Sequence, residues 1–202
     1  MKEKLKKILP WLILIFIISS LTVWYFLSKR VTDTQRNNYD EKIKAAELNY
    51  NGKEYSKAIN EYYEATEIIP QELKAYQGIV DILLLKNRID QAVAITREST
   101  RALTAEDRSY LYKSIGDYYY GSNDYQKAKE MYQEGLSLGV VNIDAELMLG
   151  KALINIGRVD DGRKQIEKNR YEGDSAVEAN LLLSYIYALT DVEKAKSQIG
   201  SM

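Results

Sequence analysis

Residues 51–70 read NGKEYSKAINEYYEATEIIP, and residues 122–139 read SNDYQKAKEMYQEGLSLG. Both open on a turn, then place a tyrosine, an alanine three residues on, an aromatic four further and a small residue three beyond that. In the first stretch these are Tyr55, Ala58, Tyr62 and Ala65; in the second they are Tyr125, Ala128, Tyr132 and Gly135. The stretch between them, KNRIDQAVAITREST (86–100), carries Ile89, Ala92, Thr96 and Ser99 at the same offsets. Spacing at three, four and seven residues gathers these side chains on one helical face. Ala58, Ala92 and Ala128 recur at intervals of about 34 residues, and so do Gly116 and Gly150. That period, with two helices per unit, is a repeat architecture, and no single helix of it can bury its apolar face alone.

The unit SYLYKSIGDYYYGSNDYQKAKEMYQEGL (109–136) carries the pattern most fully, with Tyr112, Ile115, Gly116 and Tyr119 in its first helix and Tyr125, Ala128, Tyr132 and Gly135 in its second. Pro70 closes the first unit. In these residues the chain resembles the tetratricopeptide repeat (TPR) family over about residues 39–202. Units are expected near 39–72, 73–106, 109–142 and 143–175, with a partial fifth at 176–202. The fourth keeps Leu149 and Gly150 but has Gly162 in place of the second-helix alanine. The fifth retains Leu182, Ile186, Val192, Ala195 and Ile199. Gly116, Ala128 and Gly135 are read as points of close helix approach, with the tyrosines filling the gaps around them. Ala128→Leu should overpack that contact by about 1–3 kcal/mol. Gly162 should leave the fourth unit looser, since glycine within a helix costs about 1 kcal/mol relative to alanine.

Outside the repeats, residues 8–28 (ILPWLILIFIISSLTVWYFLS) carry no charge, with Trp11 at one end and Trp24-Tyr25 at the other. As a helix the run would be about 30 Å long, the thickness of a bilayer core. It predicts a transmembrane signal-anchor contacting lipid, preceded by a basic cytoplasmic tail at 1–7 and followed by a linker at 29–38. A cleaved signal peptide fits less well, because Ser19-Ser20 is followed by bulky residues. The four lysines of the tail favour an inside N-terminus and an extracytoplasmic C-terminal domain in the cytoplasmic membrane. The fold class expected is therefore all-α: a transmembrane helix followed by the right-handed α-solenoid that the resemblance implies.

Composition excludes several kinds of chemistry. The chain has 202 residues, no cysteine and no histidine. Thiolate nucleophiles, imidazole bases, disulfides and Cys/His metal sites are ruled out. No phosphate-cradling glycine loop is present. The acids Asp117 and Asp124 and the pair Asp160-Asp161 lack a nucleophile or base constellation, and the pair sits where carboxylates cap helices. Neither catalysis nor a cofactor nor a metal is expected. The net charge is −1, but residues 1–7 carry +3 and Lys29-Arg30 carry +2, which leaves −6 for residues 31–202. An acidic domain repels phosphate backbones, so nucleic acid is not an expected ligand.

The resemblance implies a concave groove lined by first helices. It would be formed by Lys74, Gln77, Asp81, Tyr110, Lys113, Asp117, Tyr120, Asp144, Leu147 and Lys151. The carboxylate clamp of some members is not matched, since Ile43 and Glu47 stand at its first-unit places and Asp117 stands where asparagine would be needed. The mixed charges suit a polar or basic peptide, or a partner's helix. The leading expectation is a membrane-tethered scaffold that recruits or stabilises partner proteins. A cytosol-facing docking receptor and a self-associating structural component, suggested by the apolar run NLLLSYIYAL (180–189), remain the alternatives.

Overall fold

The computed structural model describes residues 16–20, 31–168 and 173–190. Beyond the short helical stretch at 16–20, the described residues form α1 (Asp33–Asn51), α2 (Tyr55–Ile68), α3 (Leu73–Leu85), α4 (Ile89–Glu98), a 3-10 turn (Ser99–Arg101), α5 (Ala105–Gly121), α6 (Tyr125–Leu136), α7 (Ile143–Asn155), α8 (Val159–Glu167) and α9 (Gly173–Thr190). Each helix packs on the next. The first helices of successive units also meet directly, α3 with α5, α5 with α7 and α7 with α9. The chain is thus an all-helical repeat solenoid.

Turn chemistry explains the register. Within each unit the hairpin turns on one residue in the left-handed region: Lys53 (φ 61°), Asn87 (56°), Asn123 (62°) and Gly157 (85°). Each of these residues stands five before the small second-helix position of its own unit, Ala58, Ala92, Ala128 or Gly162, so turns and close approaches repeat in step. Asparagine and glycine tolerate this conformation at little cost. Side-chain caps start four of the described helices. Thr32 and Gln35 form a reciprocal capping box on α1, and Thr104 and Asp107 form another on α5. Asp124 accepts from the Lys127 amide at 3.2 Å, and Asn142 accepts from the Ala145 amide at 3.0 Å. The box at Thr32 draws most of the expected 29–38 linker into a helix, so α1 starts at Asp33.

One core follows the stack. Ala46, Ala58, Ala65, Ala75, Ile79, Val80, Ile82 and Ala92 are fully buried and join the first two units, and Leu111 and Ile115 extend the same cluster into the third. Ala128, Tyr132, Leu149, Ala152 and Leu153 join the third unit to the fourth. Leu147, Ile166, Ala179 and Leu183 join the fourth to α9. Gly116 is small because the Tyr132 ring lies against it: a Cβ built there would sit 2.5 Å from the ring. At Gly162 the approach involves backbone. A Cβ would meet the Gly150 carbonyl oxygen at 2.6 Å and Ile154 Cγ1 at 2.6 Å. The expectation of a looser fourth unit is corrected: there the helices cross backbone on backbone.

No helix among the described residues is long and apolar enough to cross a membrane. Of the run at 8–28, only residues 16–20 are among the described residues, and they are helical. The remainder of that run and the tail at 1–7 lie outside the described residues, as do 191–202. The placement as a single-pass protein of the cytoplasmic membrane with an extracytoplasmic domain is corrected on this finding.

Candidate functional site

Successive first helices are joined by a ladder of polar contacts, and the ladder runs through most of the residues expected in the groove. Lys74 of α3 pairs with Glu47 of α1 at 2.7 Å. Gln77 Nε2 donates to the Tyr110 hydroxyl of α5 at 3.2 Å. Tyr118 of the same helix donates back to Asn87 Oδ1 at 3.1 Å. Between α5 and α7, Asn155 Nδ2 donates to the Tyr120 hydroxyl at 3.1 Å, and Lys151 Nζ lies 5.4 Å from the centre of the Tyr120 ring. From α7 to α9, Lys151 pairs with Glu178 at 2.5 Å and Ser175 donates to Asp144 at 3.3 Å.

Two features need separate description. Lys113 pairs with Asp117 one turn along α5 at 2.7 Å. The other oxygen of Asp117 accepts from the buried Tyr132 hydroxyl of α6 at 2.8 Å. Burial, reinforced by the Asp117 charge and hydrogen bond, pushes the Tyr132 phenol well above its ordinary value. Asp81 reaches solvent yet is crowded by protein, and that desolvation raises it above the usual carboxylate value.

The structure therefore brings Lys74, Gln77, Tyr110, Tyr120, Asp144 and Lys151 into contacts between units, with Lys113 and Asp117 on the α5 rung. Leu147 is not on this surface. It is 3% exposed, packed with Ala179 and Leu183 of α9, and is corrected to a core residue. Glu47, Asn87, Tyr118, Asn155, Ser175 and Glu178 complete the ladder and stood outside the groove set expected from the sequence. The repeat period could have found two of them: Glu47 lies one period before Asp81, and Glu178 lies one period after Asp144. Asp160 and Asp161 occupy the first turn of α8, beside Arg163 at 3.6 Å and Arg158 at 2.7 Å; neither caps the helix by a side-chain hydrogen bond, but acids in a first turn suit the helix dipole. Tyr119 is half-buried under Lys127, whose Nζ is 5.2 Å from the ring centre.

The solved structure of MamA superposes with a TM-score of 0.55 at 14% identity, covering 81% of this chain and 88% of that one. The fold is TPR-like. The Podosopora anserina kinesin light chain, described as nearly identical TPR-like repeats, gives a TM-score of 0.52 at 13% identity over 85% and 95% of the two chains. At such identities the likeness concerns the fold alone. Among curated proteins, anaphase-promoting complex subunit 7 of Arabidopsis thaliana is 27% identical over 132 residues, which is 64% of this chain. The chain spans only 23% of that relative's length. No protein-family model matches. TPR-like folds generally mediate protein–protein interactions and are typically not enzymes.

Proposed function

We propose that the first-helix face is the docking surface of a scaffold, and that it takes a polypeptide segment bearing basic side chains. The observation that carries this reading is the charge balance of the ladder. Its lysines are already matched, Lys74 to Glu47, Lys113 to Asp117 and Lys151 to Glu178. Of the carboxylates in the expected groove set, Asp81 and Asp144 stand outside the ion pairs seen among the described residues, Asp144 holding the Ser175 hydroxyl. A basic segment laid along the face would meet those two charges without having to break a pair. Such complementarity sets specificity and association rate more than raw affinity.

The test is binding of a fluorescent lysine- and arginine-rich nonapeptide, with neutral and acidic peptides of equal length beside it, by anisotropy at low and physiological salt. The basic peptide should bind best, weaken with salt, and lose at least tenfold in affinity in the Asp81→Lys, Asp144→Lys double variant. Equal binding of all three peptides, or unchanged binding by the double variant, removes the reading. Reversing Lys113 and Lys151 would be a poorer test, because both are tied to acids within the fold.

A second reading has its own observation. Val177, Leu181 and Tyr185 form an exposed stripe on α9, at 53%, 55% and 63%. Leu181 falls one period after Leu147, which α9 itself covers. A second copy stacked on this end would cover the stripe in the same manner. Sedimentation of the chain with and without Leu181→Asp decides it: a concentration-dependent oligomer lost in the variant supports stacking, and a monomer at every concentration rejects it.

A further inference from the structure

Between α6 and α7 the chain holds an apolar side chain out to solvent. Val141 is 83% exposed, more than any other large hydrophobic residue among the described ones. Carried through the repeat, its place falls on Asn37 in the first unit, Gln71 in the second, Asp107 in the third and Ser175 in the fifth. Four units put a polar residue there, and the fourth puts valine.

The exposure is held in place. Gly139 turns the chain at φ 77°, and Asn142 then fastens the loop on two sides. Its Oδ1 accepts from the Ala145 amide at 3.0 Å, and its Nδ2 donates to the Ser109 hydroxyl of α5 at 3.2 Å. An apolar group presented by an anchored loop gives up little freedom when a partner covers it.

Val141 borders a cavity of about 380 Å³ between this loop and the N-terminal turns of α5 and α7. Tyr110 and Ile143, 42% and 40% exposed, line the same cavity. Two carboxylates stand among them, Glu106 on α5 and Asp144 on α7, and no lysine or arginine does. Neither acid is in an ion pair among the described residues, Asp144 accepting from the Ser175 hydroxyl. Single exposed hydrophobic residues are ordinary on a protein surface. Three around one concavity, flanked by unpaired acids, define a complement: an aliphatic side chain with a cation beside it. A second copy of this chain matches poorly, because the exposed stripe of its α9 is flanked by Asp174 and Glu178 on a helix without lysine or arginine.

We propose that this edge of the fourth unit anchors a docked polypeptide segment through an aliphatic residue directly beside a lysine or arginine. The aliphatic group covers Val141, Ile143 and the Tyr110 ring, and the cation lies between Glu106 and Asp144. This rests on the reading of the first-helix face as a site for basic segments, and adds to it an apolar anchor and its place.

Anisotropy of two fluorescent nonapeptides of equal positive charge, one with Leu-Lys at its centre and the other with Ser-Lys, tests it on the full chain. The leucine peptide should bind about fivefold tighter, or about 1 kcal/mol, as partial burial of a leucine is worth. Val141→Ser should abolish that preference, leaving the serine peptide's affinity and the melting temperature nearly unchanged. Glu106→Gln should weaken the leucine peptide by about threefold, as loss of an exposed ion pair does. Leu48→Ser, a comparable change at a 73% exposed place on α1, should keep the preference. Equal binding of the two peptides by the parent, a preference that survives Val141→Ser, or unchanged binding by Glu106→Gln overturns the proposal and leaves the basic-segment reading standing. Absence of binding by either peptide overturns both. Self-association of the parent that is lost in Val141→Ser assigns the patch to a second copy and overturns the proposal as well.

Discussion

Gly162→Ala sets two physical effects against each other with opposite signs. By helix propensity alone the change should stabilise α8 by about 1 kcal/mol, and Ala58, Ala92 and Ala128 show that the repeat accepts alanine at this place. The packing argues the other way. The new Cβ would lie 2.6 Å from the Gly150 carbonyl oxygen, 2.6 Å from Ile154 Cγ1 and 3.1 Å from the Ile154 amide nitrogen. Two of those atoms are backbone, so no rotamer change can relieve the crowding and the helices must separate. Overpacking of this kind costs about 1–3 kcal/mol. The steric effect should offset or exceed the propensity gain, for a net loss of up to about 2 kcal/mol, or as much as a few degrees in melting temperature for a chain of this size. Gly121→Ala is the matched control. Gly121 also lies in a helix, with nothing within 4 Å of its Cβ position, and alanine there should be neutral or stabilising. Thermal melts followed by circular dichroism read both variants. If Gly162→Ala raises the melting temperature as much as Gly121→Ala does, the close crossing of α7 and α8 is refuted.

Gly78→Ala should loosen the junction between the first two units: its Cβ would fall 2.3 Å from the Tyr62 ring, which must swing away. Hydrogen exchange should then rise in α2 and α3 and stay unchanged in α7 and α8. Alkaline pH provides a different perturbation. Burial first, then the charge of Glu72, pushes Tyr39 up to about 12, and burial also raises Tyr62, Tyr76 and Tyr132. Each folded-state value lies above the unfolded one, so the folded chain retains protons that the unfolded chain loses. The stability these phenols contribute is complete below about pH 10 and declines above it, by up to about 1.4 kcal/mol per pH unit for each. Melts at pH 8 to 11.5 should be flat to about pH 9.5 and then fall, while tyrosinate absorbance lags behind that of free tyrosine. Tyr132→Phe removes one titrating phenol and should reduce the slope. An identical slope would mean that Tyr132 ionises as readily folded as unfolded.

Much of this architecture was legible because repetition amplifies weak signals. A lone Tyr-x-x-Ala says little, but Ala58, Ala92 and Ala128 in one register specify which helical face turns inward. The polar contacts between first helices were less legible, because they join residues 27 to 35 apart rather than at one fixed interval, so the period indicates neighbouring helices without naming the pairs. Legibility failed wherever a residue obeyed the period in number but not in chemistry. Leu147 sits at a groove position, yet an apolar side chain there is covered by the next helix, so it became core. Gly162 looked like a weak helix residue, because its worth depends on how closely Gly150 approaches from another helix, and propensity contains no such term. Thr32 and Gln35 lay in a polar run that reads as linker unless the reciprocal cap is recognised. All but the last lie in the fourth unit, where the backbone crossing at Gly150 and Gly162 and the cover that α9 gives Leu147 outweigh the residue-type pattern of the earlier units.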